Sequence, residues 1–198
     1  MGLFDNIETA KVSMNRYIRS GHYLARIDAV KAGKNRFGDD LVAIEMTGIY
    51  TFPDGQPPSK GEQFHAPGEA FSDVISRKGA KDMYLGRVKA FITSVTNEPE
   101  SAVTAQVAEI VTGATQPLKG LIVEVFGRNI VTKAAAGRAL AAGPGSVPET
   151  MVAVDYRGQM SVTRLRKLVP ADQLSRLGFD EPALVALAAK QTAMGVAQ

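Results

Sequence analysis

Between Gly120 and Val169 the chain carries two runs dense in Val and Ile, LIVEVFGRNIVTK and MVAVDYRGQMSVTRLRKLV, separated by the alanine- and glycine-rich AAAGRALAAGPGSVPE. Side chains branched at Cβ suit a pleated, extended backbone, and Gly and Pro bound such runs. The two runs therefore predict a pair of strands, and the unpatterned stretch 134–149 predicts a mobile loop between them. Charge gathers here as well. From Ala114 to Leu168 there are eight Lys or Arg and three acids, an excess of five, against a net +3 for all 198 residues. A basic hairpin with a flexible tip suits a polyanionic partner.

Upstream, the hydrophobic period is two. His22 to Lys31 reads as a strand with Tyr23, Ala25, Ile27 and Ala29 on one face and Arg26 and Asp28 on the other. AGKNRFGDD is a turn or loop, Leu41 to Tyr50 a second strand, PDGQPPSKG a loop, and Gly61 to Ala66 a short third strand. The period then becomes 3.6. Asp82 caps a helix bearing Tyr84, Val88, Phe91 and Val95, which ends at Asn97-Glu98-Pro99. Ser101 caps a second helix, closed by Gly113. Tyr156-Arg157-Gly158-Gln159 reads as a tight turn inside the last strand run, which continues to Val169. After Pro170, Ala171 to Leu177 forms a short helix, and Asp180 caps a final one with Pro182 in its first turn.

Three strands, helices and two more strands is the chain order of an OB-fold, a five-stranded Greek-key barrel. The fold class expected is thus α+β, mainly β, with helices between strands 3 and 4 and a C-terminal helix. A β-sandwich with an inserted helix accommodates the same order. Residues 1–20 form an N-terminal arm, 21–169 the barrel domain and 170–198 a helical extension.

Absent residues narrow the chemistry. With no cysteine there are no disulfides, thiol catalysis or thiolate zinc sites. His22 and His65 lie far apart and belong to no HExxH pattern, and no cofactor is expected. GxxxxGK[ST] and GxSxG are both missing, and Asp39-Asp40 with Glu45 mark a turn rather than a clustered metal site, so no enzymatic activity is expected. No window reaches the roughly 18 apolar residues of a membrane helix. The start MGLFDNIETAK lacks an apolar signal core, which leads to an expectation of cytoplasmic residence.

SGHYLARIDAVKAGKNRFGDDLVAIEMTGI resembles the opening of the OB-fold single-stranded DNA-binding proteins of bacteriophages, where glycine and an aromatic start strand one. MYLGRVKAFITSV resembles their helix after strand three. LKGLIVEVFGRNIVTK with VAVDYRGQMSVTRLRKLVP resembles their closing strands. The resemblance covers residues 20–170 and implies a role in phage DNA replication or recombination, in the host cytoplasm, alongside replication or recombination proteins. The chain ends KQTAMGVAQ, not in the acidic tail common among single-strand binders, which points its last helix toward its own domain or a second copy.

Binding single strands without sequence preference takes cations that follow phosphates and aromatics that stack on bases. The candidate DNA-binding residues are Arg26, Lys31, Lys34, Arg36 and Phe37 on strand one and its loop, and Phe64 on strand three. Phe126, Arg128, Lys133, Arg138, Arg157 and Arg164 complete the set, with Phe126 and Phe37 as the stacking candidates and Tyr156 facing the core. A virion, assembly or scaffold protein is the alternative, with the last helix and Leu3, Phe4 and Ile7 as contact surfaces.

Overall fold

The hairpin of β2 (Gly21–Lys34) and β3 (Asp40–Phe52) is the spine of the molecule. The computed structural model describes residues 16–59, 61–77, 81–143 and 145–194. At the hairpin tip the Asn35 side-chain oxygen accepts from the Phe37 and Asp39 N–H groups at 2.8 and 2.9 Å, and Gly38 takes φ +85°. Both are devices that reverse a chain. β3 pairs in turn with β4 (Ala70–Ser76), and β2 pairs on its other side with β5 (Ile122–Val131), which pairs with β6 (Thr150–Gln159). These pairings are all antiparallel. The two-residue β1 (Arg16–Tyr17) adds to β4 in parallel, so the sheet order is β1-β4-β3-β2-β5-β6.

The expected α+β class with an antiparallel sheet is what the chain forms. The ladder itself does not run on from β6 to β4. That seam is bridged by side chains, the Tyr156 hydroxyl donating to Asp73 Oδ2 at 3.2 Å, and is packed by α1 (Lys81–Thr96).

Bulges curl the sheet. The β2–β3 register slips at Leu24/Ala25 and again at Ile27/Ala29, and each extra residue bends its strand and flips the side chains beyond it. Alternation from Tyr23 predicts Ala29 inside. The second bulge instead buries Val30 and leaves Ala29 half-exposed. Tyr156-Arg157-Gly158-Gln159 is likewise not a turn. It is strand with one extra residue opposite Val123 and Val125, accommodated by Gly158 at φ +99°.

Several expected elements take another form. Gly61 to Ala66 is irregular, and the strand that pairs with β3 is Ala70–Ser76. Its inward residues are Phe71, Asp73 and Ile75, and the buried acid breaks the apolar alternation that marks a strand. The supposed loop 134–149 holds α3 (Lys133–Ala142), capped by the Thr132 hydroxyl accepting from the Ala135 N–H at 3.1 Å. Its alanines are the best helix formers known and outweigh Gly137. The second helix, α2 (Ala105–Thr112), is capped by Thr104 rather than Ser101. The last strand run ends at Gln159. Ser161 then caps α4 (Val162–Leu168), whose Val162, Leu165 and the following Val169 are buried at helical spacing.

The helices α4, α5 (Ala171–Arg176) and α6 (Glu181–Ala193) lie on the sheet's outer side. Arg26 reaches the Leu177 carbonyl and sits over the Phe179 ring, and Gln173 donates to the Ile49 carbonyl at 2.8 Å. Leu165, Leu174, Phe179, Leu184 and Leu187 join the same apolar cluster as the strands, so α6 uses its apolar face on its own domain. On the inner side Phe91, Ile92 and Val95 of α1 belong to that cluster together with Tyr23, Ile27, Ile44 and Phe71. The expected N-terminal arm lies outside the described residues up to position 15, as do Leu3, Phe4 and Ile7, and residues 16–20 lead through β1 into β2.

Asp73 is the costly member of this interior. Burial pushes its carboxyl above the ordinary value, and the Arg87 guanidinium at 3.7 Å and the Tyr156 hydroxyl only partly offset this. A carboxyl raised by folding stabilises the fold below its unfolded pKa of about 4, and that contribution is lost as pH rises through the folded value. Asp73→Asn keeps an acceptor for Tyr156 and removes the titration. Its melting temperature relative to the parent protein is therefore expected to climb between pH 4 and pH 8. A difference that stays flat over that range contradicts the assignment.

Candidate nucleic-acid interface

The part of the outer face that α4–α6 leave open carries a column of planar groups set across neighbouring strands. His22 is the second residue of β2, Phe52 lies opposite it on β3, and Phe126 lies opposite it on β5. The His22 ring stacks on Phe52 and on Phe126 with both centroids at 3.8 Å and interplanar angles of 18° and 23°. On the far face of Phe126, the Arg157 guanidinium carbon of β6 lies 3.9 Å above the ring centroid. At the other end Tyr50 meets Phe52 edge to face at 5.1 Å.

Two carboxylates hold the middle of this column in place. His22 is only 5 % exposed, with Nδ1 at 2.7 Å from Asp54 Oδ1 and Nε2 at 2.9 Å from Glu124 Oε1. The hydrogen bond from His22 draws the Asp54 carboxyl below its usual range. Arg164, on α4, lies 3.8 Å from Glu124 Oε2, and Arg128 pairs with Asp155. Arg157 is exposed and makes no ion pair or hydrogen bond among the described residues.

The residues proposed from sequence fall into separate groups. Phe126, Arg128, Arg157 and Arg164 come together around the column. Phe126 is a member of the stack and has both ring faces covered, so it offers no face to a base. Lys133 opens α3 and Arg138 faces Glu149 at 3.4 Å, both exposed beyond the column end of β5 and β6.

Lys34, Arg36 and Phe37 sit at the β2–β3 tip, twelve residues along β2 from His22, about 40 Å of extended chain. There Lys34 and, next, Arg77 hold the Asp40 carboxyl below its usual range. Phe37 is 75 % exposed under Arg36 at 4.7 Å. Lys31 pairs with Glu45 at 2.9 Å.

Two residues have other work. Arg26 ties the C-terminal helices to the sheet and also bonds Asp28 at 2.9 Å. Phe64, in irregular chain, turns an edge toward Tyr23 at 6.5 Å. Its neighbour His65 is buried, stacks on Phe71 at 4.2 Å and accepts from the Arg19 N–H at 3.0 Å.

Sequence reading passed over His22, Phe52, Asp54 and Glu124. Parity puts His22 and Phe126 on outward faces, but their meeting depends on the β2–β5 register, which no single-strand pattern encodes. No described helix is long and apolar enough to cross a membrane. Compared with protein-family models and with curated proteins, the chain matches none.

Proposed function

We propose that the protein binds single-stranded DNA without sequence preference and without catalysis, protecting exposed strands during bacteriophage replication or recombination. The observation that carries this reading is the Phe52–His22–Phe126–Arg157 column, a pre-assembled stack ending in an exposed planar cation with no ion pair among the described residues. Arg128 and Arg164 flank it, and Lys133 and Arg138 extend the basic surface along the β5–β6 arm. Surface ion pairs of this kind are worth about 0–1 kcal/mol, so their cations exchange a carboxylate for a phosphate at little cost. The curled sheet is on this reading an OB-type barrel whose β4–β6 seam is closed by Tyr156, Asp73 and α1 in place of a ladder.

Polarisation of end-labelled oligonucleotides, single-stranded against duplex, tests this over a salt series. The chain has no Trp, so the label belongs on the DNA. Single strands are expected to bind more tightly. Four neutralised phosphates correspond to a log–log salt slope of about −3. Equal binding of both forms, or none at low salt, removes the proposal. A scaffold or assembly role has one observation in its favour: Leu140 and Val147, beside the β5–β6 arm, are 83 % and 88 % exposed. Self-association in sedimentation that Leu140→Glu abolishes, without DNA affinity, would favour that role.

A further inference from the structure

We infer that the base-stacking platform is the guanidinium of Arg157, and that Phe126 serves to hold it; this rests on the single-strand reading above. The two inner rings of the column have both faces covered. His22 lies between Phe52 and Phe126, Phe126 lies between His22 and Arg157, and Phe52 also meets Tyr50 edge to face. The His22, Phe52 and Phe126 rings, stacked at 3.8 Å from strand to strand, turn their edges, not their faces, to anything above the sheet, and the Arg157 guanidinium carbon lies 3.9 Å from the Phe126 centroid. At the Arg157 end the column finishes in an exposed side chain, and β6 is the last paired strand in the sheet order among the described residues.

The backbone under Arg157 is fixed on its other side. Tyr156 points inward, donates to Asp73 and packs edge to face on Phe91 at 4.8 Å. The bulge at Gly158 follows at once and re-aims the strand. A guanidinium is flat and weakly hydrated, and its N–H groups all point outward in its own plane. One face can rest on Phe126 while the other receives a base, leaving the rim donors free for the adjacent phosphates. Such a contact tolerates any base, since each presents a π-face. A lysine at this position would keep the charge and lose the surface.

The test uses the full chain, its Arg157→Lys variant and oligo(dT) carrying one 2-aminopurine, with thermal unfolding run in parallel so that binding is read well below each melting temperature. The parent protein is expected to quench 2-aminopurine and to bind an abasic sugar-phosphate strand more weakly than oligo(dT). Arg157→Lys is expected to lose the quench and about tenfold in affinity for oligo(dT) while keeping the parent salt slope and its affinity for the abasic strand. Arg176→Lys, on α5 and paired with Asp172, should keep both the quench and the affinity. If Arg157→Lys binds and quenches as the parent does, Arg157 acts only as a charge and the inference is overturned. Equal parental affinity for abasic and base-bearing strands overturns it with the native protein alone. Absence of any parental binding to single strands instead overturns the functional reading itself.

Discussion

Replacing His22 by alanine is expected to remove about 2–4 kcal/mol of stability and, at the same time, to weaken single-strand binding. The ring is nearly buried between two phenyl groups, so its loss opens a gap that Phe52 and Phe126 cannot both close. It also leaves Glu124, itself largely covered, with Arg164 at 3.8 Å as its remaining charged partner at the site, while Asp54 loses the bond that lowers its pKa. Phe126 then loses its support from behind, and Arg157 loses the fixed position of the ring it rests on. His22→Phe separates the two roles. It restores the stack but not the carboxylate bonds, so binding is expected to recover further than stability. Chemical denaturation and polarisation on the same samples check this. An alanine variant that melts with the parent and binds like it contradicts the description of the column as one unit.

Phe91→Ala is expected to show the opposite pattern, a loss of about 3–5 kcal/mol in stability with nearly unchanged affinity for single strands measured well below its melting temperature. Phe91 is buried on α1, on the inner side of the sheet, edge to face with Tyr156. Its removal leaves a cavity under the β4–β6 seam, on the opposite side of the sheet from the outer column. Some affinity loss would follow if the cavity let Tyr156 and its bulge shift, since Arg157 is the next residue. A loss as large as that of Arg157→Lys would mean that the seam, and not the outer face, positions the ligand.

Much of this architecture is legible in the chain. The β2–β3 hairpin follows from alternation on either side of AGKNRFGDD, and α6 follows from helical spacing after its Asp180 cap. The spacing of Tyr84, Val88, Phe91 and Val95 yields α1, although it begins at Lys81 and so holds Asp82 within the helix and not as its cap. What escaped has physical causes. Asp73 sits at an inward position of β4, where a sequence pattern expects an apolar residue, and Arg87, the Tyr156 hydroxyl and a backbone hydrogen bond at Val74 make it tolerable. The alanine run of α3 is low in complexity and high in helix propensity, and the second property decides the outcome once Thr132 provides a cap. In the closing run, Ser161 followed by Val162, Leu165 and Val169 is a helix signature hidden behind β-branched residues.

The candidate site was legible only in part. Outward parity identifies Phe126, Arg128 and Arg157 as neighbours on one face, and they are. Their roles depend on register and on bulges. Because Gly21 pairs with Gly127 and His22 with Phe126, an imidazole enters the stack and covers the ring face that a base would otherwise take. The same registers carry Lys34, Arg36 and Phe37 to the far end of β2, so Phe37 and Phe126 cannot grip neighbouring bases as a single patch. The face is instead centred on the column, with the β5–β6 arm extending it.

The measurement that bears most directly on this account is an amide chemical-shift titration of the ¹⁵N-labelled protein with oligo(dT). The largest changes are expected to cluster at Gly21–His22, Glu124–Arg128 and Asp155–Gly158, with weaker ones along α3. The β4 and α1 residues around Asp73 and Arg87 should stay nearly still. Shifts centred on β4 and α1, or on the exposed side of α6 around Val185, with the column silent, would contradict it.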